Sequence, residues 1–429
     1  MMELIVNPPR SAWPALTERN VPDDEAIGER VAAIVARVRR DGDAALRALA
    51  REIDGANLDS LELSPGECEA AVAAVDEETK AAVKRAAANI AAFHEAQRSP
   101  QVDVETQPGV RCRQRAVPIR SVGLYIPGGQ APLFSTVLML GLPARMAGCA
   151  EVVLCTPQGR SGRIAPEIVY AARECGIRRI FRVGGAQAVA AMAYGTESVP
   201  RVHKIFGPGN RYVTKAKQLV SRHVAIDMPA GPSEVLVLAD ATARPDFVAA
   251  DLLSQAEHGP DSQALLVCRE EAFARAVMAE VERRAARLPR AASVAGSLAR
   301  SRAIVFGSRE EMADFVNAYA PEHLIVSMQD PWAMARDITA AGSIFIGNFS
   351  PESAGDYASG TNHTLPTAGW ASSLSGVNLD SFQHKITYQE LTPDGLRRLA
   401  PTIVAMARAE GLDAHAAAVE VRLEALAGA

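Results

Sequence analysis

The chain has 429 residues, 48% of them hydrophobic and 22% charged, with a net charge of −5 and a pI near 6.0. These values fit a globular protein of about two or three domains, and the scattered lysines and arginines leave no basic footprint for nucleic acid. No apolar stretch approaches a membrane span, and residues 1–20 lack a basic region followed by an apolar core, so a cytosolic protein is expected.

Residues 23–98 are rich in Ala, Glu and Arg with helical periodicity, broken at 54–66. They predict a helical N-terminal region, 1–120, leading into an α/β body. From Ser121 onward, short β-branched runs alternate with helical ones. Strands are expected at 121–126, 151–155, 179–183, 203–206 and 223–226, with helices near 135–147, 164–175, 186–193 and 210–221. A second set follows, with strands at 234–238, 264–268, 303–306, 324–327 and 343–346 and helices at 245–258, 270–288, 308–319 and 331–340. The alternation predicts two Rossmann-like parallel-sheet domains, 121–232 and 233–375, with the crevice between them as the default site. Residues 347–380 are rich in Ser, Gly, Thr and Asn, and a stretch that long without regular structure is expected to be functional. Helices near 393–410 and 413–427 make 376–429 a helical tail, whose apolar faces must dock on the chain's own body or on a second subunit.

The six cysteines, Cys68, Cys112, Cys149, Cys155, Cys175 and Cys268, form no C-x-x-C pair and mostly lie in or beside apolar runs. They read as buried hydrophobes, and no cysteine nucleophile is expected. Three glycine-rich turns follow predicted strands: Ile126-Pro127-Gly128-Gly129, Val183-Gly184-Gly185-Ala186-Gln187 and Phe206-Gly207-Pro208-Gly209-Asn210. Such turns let backbone N–H groups approach a phosphate, but no G-x-G-x-x-G is present, so ordinary tight turns explain them equally well.

The helix at 245–258 ends in unusual company. Gln255 and His258, three apart in its last turn, share a face and can aim two neutral donors at one point, a geometry that suits a metal. The bland alternative is a histidine complementing the helix dipole beside a solvated glutamine. Glu322-His323 stands at the mouth of a strand, where both groups can accept protons; alone, the pair also fits a solvated loop. The run from Ser350 to His363 holds Glu352, Asp356 and His363 in a loop too polar to be core, so Asp356 or His363 is a candidate ligand. Near the C-terminus, Glu410 ends a helix, Gly411 fits its C′ position, Asp413 caps the next helix and His415 lies in its first turn, a corner that lets Glu410 and His415 converge. Gln255, His258, Asp356 and His415 together would offer oxygen and imidazole donors without thiolate, which suits Zn²⁺ or Mn²⁺.

Several long motifs in order now carry a resemblance. Asp251 to Ser262 (DLLSQAEHGPDS), Ala230 to Val235 (AGPSEV), Pro321-Glu322-His323-Leu324 and the run from Glu352 to Pro366 are similar to histidinol dehydrogenases, over nearly the whole span 121–415. The resemblance implies a homodimeric zinc enzyme that oxidises L-histidinol to L-histidine through L-histidinaldehyde with two NAD⁺. It also implies Gln255, His258, Asp356 and His415 as metal ligands and Glu322 and His323 as proton-transfer residues. Ser233, His363 and Glu410 correspond to substrate contacts, joined by His323 and the metal ligands, and Tyr125, Gln187 and Asn210 to the cofactor site. Glu410 and His415 would reach into the neighbouring subunit. His323 would then take the hydroxyl proton and Glu322 would activate water against the aldehyde. The rival readings are a paralogue acting on another polar alcohol, a zinc hydrolase with structural glycine turns, and a non-catalytic metal-binding scaffold.

Overall fold

The structure is a computed structural model that describes residues 2–19, 25–128, 132–158, 162–229 and 231–428. Gly129 and Ala230, each part of a motif above, lie outside the described residues. In chain order the strands are β1 (Glu3–Val6), β2 (Val102–Gln107), β3 (Val110–Pro118), β4 (Ser121–Tyr125), β5 (Glu151–Cys155), β6 (Arg179–Phe181) and β7 (Lys204–Phe206). They continue with β8 (Ala225–Ile226), β9 (Glu234–Ala239), β10 (Gln263–Cys268), β11 (Arg302–Val305), β12 (His323–Ser327), β13 (Ser343–Ile346) and β14 (Gln383–Leu391). Two compact units result, one of residues 1–97 and 119–382, the other of residues 98–118 and 383–429.

The first unit holds two parallel sheets. One has the order β6-β5-β4-β7-β8. All five residues of β4 are buried, as befits a central parallel strand covered on both faces. Val122 and Leu124 pack on one side with helices Phe134–Ala147 and Pro166–Glu174. Val153 and Cys155 pack on the other with the helical segment Glu25–Asp54, kinked at Gly42, and helix Gly185–Tyr194. The chain leaves β4 to one side and returns at β7 on the other, so the strand order reverses between them, where α/β sheets open a crevice at their carboxyl ends. Gly207 sits there with φ +125°, and a Cβ on it would lie 2.0 Å from the Tyr125 carbonyl oxygen; only glycine fits.

The second sheet has the order β1-β11-β10-β9-β12-β13, all parallel. Its central strand β9 buries all six residues. Val235 and Val237 face one core cluster, and Leu236 and Leu238 the other. A fully buried leucine stabilises by about 2 kcal/mol. The second unit is an antiparallel sheet, β14-β3-β2, together with helices Pro393–Ala409 and Asp413–Ala427 packed on each other. The α/β architecture with a helical N-terminal region and a helical tail is thus as expected.

Several expectations need correction. Residues 350–363 are not all loop: helix Glu352–Tyr357 lies inside, and Glu352 is 1% exposed. Helix 245–258 stops at Ala256, because the last turn tightens and His258 N–H bonds back to the Gln255 carbonyl at 3.2 Å. Helix 331–340 ends at Ala335. Leu412, not Asp413, is the N-cap of the last helix, and no side chain caps it. Strands β1, β2, β3 and β14 and helix Ala291–Leu298 are additional to the reading. Among the described residues no helix is long and apolar enough to cross a membrane.

Candidate active site

The candidate side chains of the first unit gather at two sheet edges. At the amino edge of the second sheet, β9 begins with Glu234 and the neighbouring β12 with His323, whose register partner on β9 is Val235. Helix Pro245–Ala256 runs back against the strands, so its C-terminal end, with Gln255 and then His258, returns to that edge. Helix Glu352–Tyr357 packs on it. In that short helix Glu352 and Asp356 are four apart and share a face. Gly342 leaves room for the strand end, since a Cβ there would come within 2.5 Å of the Glu322 carbonyl oxygen.

Glu322 and His323 are both buried. The Glu234 N–H donates to Glu322 Oε2 at 2.9 Å. His323 Nδ1 lies 3.3 Å from the Glu234 carbonyl, which as an acceptor keeps the ring proton on Nδ1. The same Nδ1 lies 3.6 Å from Glu322 Oε2 and 3.6 Å from Glu352 Oε1. Nε2 faces Asp356 Oδ1 at 3.5 Å, too long for a full-strength hydrogen bond. His363 donates Nδ1–H to the Asp356 carbonyl at 2.8 Å and holds Nε2 3.1 Å from the Thr136 hydroxyl.

Burial dominates the proton affinities here. It pushes Glu322 up to about 8 against the opposing pull of His323, and Glu352 up to about 8. Burial alone would lower His323, but Glu352 foremost, then Glu322 and Asp356, raise it to about 10. Burial also works against the Asp356 carboxylate, yet His323, His363 and His258 outweigh it and hold that group below the usual aspartate range. Asp356 is therefore the anion of the cluster, and His323 its strongest proton acceptor.

Whether these groups suit a cation is answered by their unmet valences. Gln255 is fully buried with neither amide atom hydrogen-bonded, and both Glu352 oxygens and His323 Nε2 are likewise unpartnered. Leaving buried polar atoms unpaired costs about 1–3 kcal/mol each, so the Gln255 amide is the group of this set whose unmet valence a neighbouring cation would satisfy, while His323 Nε2 stays open to a proton. His258 donates Nδ1–H to the Ser254 carbonyl at 3.0 Å, which turns Nε2 outward as a ligand atom. Donor atoms of His323, Glu352 and Asp356 also lie within 4.8 Å of one another. Glu410 and His415 belong to the second unit, both exposed, on either side of Gly411. Glu352 is the group that motif reading left without a role; the four-residue spacing to Asp356 was its one sequence signal.

The other edge is the carboxyl end of the first sheet. The Tyr125 hydroxyl accepts the Gly185 N–H at 3.2 Å, and burial raises it to about 12. Gln187 is buried beside Gly185. Asn210 caps helix Arg211–Val220 by accepting from Tyr212 N–H at 3.0 Å and Val213 N–H at 3.2 Å, a structural duty sufficient in itself. The two edges meet: a cavity of about 40 Å³ is lined by Gly207, Pro208 and Asp227 from one and by Ser233, Glu322 and His363 from the other. Burial meanwhile pushes the Cys149 thiol up to about 11 and the Cys155 thiol higher still, holding both un-ionised.

Fold and site define a doubly wound α/β enzyme that sets a buried carboxyl and imidazole group beside a Rossmann-type switch point. The sequence profile of histidinol dehydrogenase matches residues 17–423, and the chain belongs to the histidinol dehydrogenase family, whose members are oxidoreductases. It is 56% identical over 424 residues to a histidinol dehydrogenase of Bacteroides fragilis, covering 99% of each chain. It is 54% identical over 427 residues to that of Bacteroides thetaiotaomicron, covering 99% of this chain and 100% of the relative. The crystal structure of histidinol dehydrogenase from Elizabethkingia anophelis superposes with a TM-score of 0.96 at 50% identity, covering 99% of this chain and 98% of the other.

Proposed function

We propose that this chain oxidises L-histidinol to L-histidine through L-histidinaldehyde, with two NAD⁺ consumed, in the last step of histidine biosynthesis. The observation that carries the reading is the cavity shared by the Gly207 turn and by Ser233, Glu322 and His363. A carbinol carbon lodged there lies between a nucleotide-type turn and buried proton acceptors, which is what hydride transfer from an alcohol requires. The division into a cofactor domain, 121–232, and an acid–base domain, 233–375, belongs to the same proposal, as does a cytoplasmic location.

Zn²⁺, with Mn²⁺ as the alternative, would be held by Gln255, His258, Asp356 and the exposed His415 of a second copy, and would supply the positive charge that anchors the substrate's imidazole and amine. The unpartnered amide of Gln255 and the outward Nε2 of His258 support that set. His323 accepts the hydroxyl proton on Nε2 while Glu234 keeps Nδ1 protonated. Glu322 then takes a proton from water as it adds to the aldehyde, and base assistance from the same pair serves the second oxidation. Ser233, His363 and the second copy's Glu410 orient the substrate, and Tyr125, Gln187 and Asn210 receive the dinucleotide. The test is turnover of purified chain with histidinol and NAD⁺. Two NADH per histidinol supports the reading, whereas one NADH, or hydrolysis without NADH, contradicts it.

A further inference from the structure

Arg19 belongs to no motif and to no regular element. It ends the N-terminal segment that adds β1 to the second sheet and seats Trp13 edge-on against Phe306 and Phe315. Its guanidinium lies over the Tyr319 ring, 3.5 Å from the centroid. Nε and Nη2 donate to the two carboxylate oxygens of Glu234 at 2.9 and 3.0 Å. Nη1 donates to the Thr17 carbonyl at 3.0 Å, and Nη2 also reaches the Tyr319 carbonyl. The Glu234 side chain is 2% exposed, so this is a buried, two-pronged ion pair.

Net stability is a poor reason for such a pair, because desolvating two charges offsets most of their attraction. The main chain of Glu234 offers a better one. Its N–H donates to Glu322 and its carbonyl accepts from His323. The two peptide groups flanking one Cα thus fix both proton-transfer side chains, and the direction of that residue's own side chain is fixed by Arg19.

We propose, resting on the functional reading above, that Arg19 and Glu234 are positioning residues, the guanidinium locking the Glu234 main chain so that Glu322 and His323 point at the substrate. Without Arg19 the buried carboxylate keeps only the long 3.4 Å hydrogen bond from the Tyr319 hydroxyl, its charge uncompensated, and it must turn or draw in water, carrying both peptide groups with it. A misplacement of about 1 Å at reacting groups costs up to about 100-fold.

The experiment compares wild type, R19A, R19K and R10A for kcat and for KM of histidinol and NAD⁺, with and without millimolar guanidinium. A cavity of about 240 Å³ lined by Arg19, Ser233, Glu234 and Asp261 admits the small cation. Expected for R19A is a kcat about 10- to 100-fold lower, an unchanged KM for NAD⁺, and partial rescue by guanidinium. R19K, a point donor without the fork, falls between. R10A removes the ion pair with Asp314 on the same segment and keeps wild-type kinetics. Equal losses in R19A and R10A, wild-type kcat in R19A, or a folded R19A indifferent to guanidinium overturns the proposal. If R19A does not fold, R19K decides: wild-type kcat refutes, reduced kcat at constant KM supports. A wild-type chain inert toward histidinol defeats the functional reading and this inference with it; normal wild-type turnover with unaffected Arg19 variants defeats the inference alone.

Discussion

Glu322→Gln should separate the two proposed oxidations. The amide is nearly isosteric, and its oxygen can still accept the Glu234 N–H now received at 2.9 Å, so the strand end should hold its place. The carboxylate is buried, and burial raises it to about 8; a neutral amide relieves that cost and should leave the fold at least as stable. What disappears is a group able to take a proton from water. General-base catalysis is worth about 10²- to 10⁴-fold, or about 3–5 kcal/mol of barrier, and the loss should fall on aldehyde oxidation. The alcohol step, proposed above to use His323 Nε2, should lose less than about tenfold, because only the orientation of the ring is touched. The assay follows NADH separately from histidinol and from histidinaldehyde and traps released aldehyde. E322Q should accumulate aldehyde. Equal losses in the two half-reactions would refute the assignment of water activation to Glu322.

Cys149→Ala with Cys155→Ala should retain aldehyde oxidation, since both thiols are held protonated by burial; its loss in a folded variant would restore a thiohemiacetal route. The proton on His323 is held to about 10, chiefly through Glu352, so the free base gains population as pH rises and kcat/KM for histidinol should climb on the alkaline side. E352Q should move that limb to lower pH, and an unmoved limb would contradict the cause named. Asp43 is buried beside Ser198 and Thr196; burial pushes its carboxyl up, but hydrogen bonds from those two residues outweigh it and hold it low. With a depressed folded-state value, its stabilisation is present above the ordinary aspartate value of about 3.9 and is lost as pH falls through the folded one. D43N should therefore cost about 1–3 kcal/mol at pH 7 and less in acid; equal melting differences at both pH values would argue against it. Mixing H415A with E322Q chains should recover the aldehyde oxidation that neither performs alone if His415 serves a second copy's site, and no recovery would place it in its own chain's site.

Much of this molecule is legible in its sequence because the central strands of both parallel sheets are buried on two faces, so that runs such as Glu234-Val235-Leu236-Val237-Leu238 and Leu324-Ile325-Val326-Ser327 stand out from the helices around them. Strands β2, β3 and β14 carry no such signal. Arg111, Arg113 and Glu390 fill exposed positions in an antiparallel sheet largely open to solvent, and their charges mask the alternation. Strand β1 is four residues long at a sheet edge. At the site, single residues beside glycine or proline are easy to single out, while Glu352 hides in a six-residue helix too short to show periodicity. Arg19 and Glu234 escape for another reason: their effect runs through a main chain whose partners are 88 and 89 residues away.

The account depends on His323 being free to move protons while the ion sits elsewhere. Anomalous diffraction at the zinc edge, from crystals grown with zinc, NAD⁺ and histidinol, tests this directly. The predicted peak lies at Gln255, His258 and Asp356, with His323 Nε2 unligated and directed at the substrate hydroxyl. A peak enclosed by His323, Glu352 and Asp356 would occupy the base itself and contradict the mechanism.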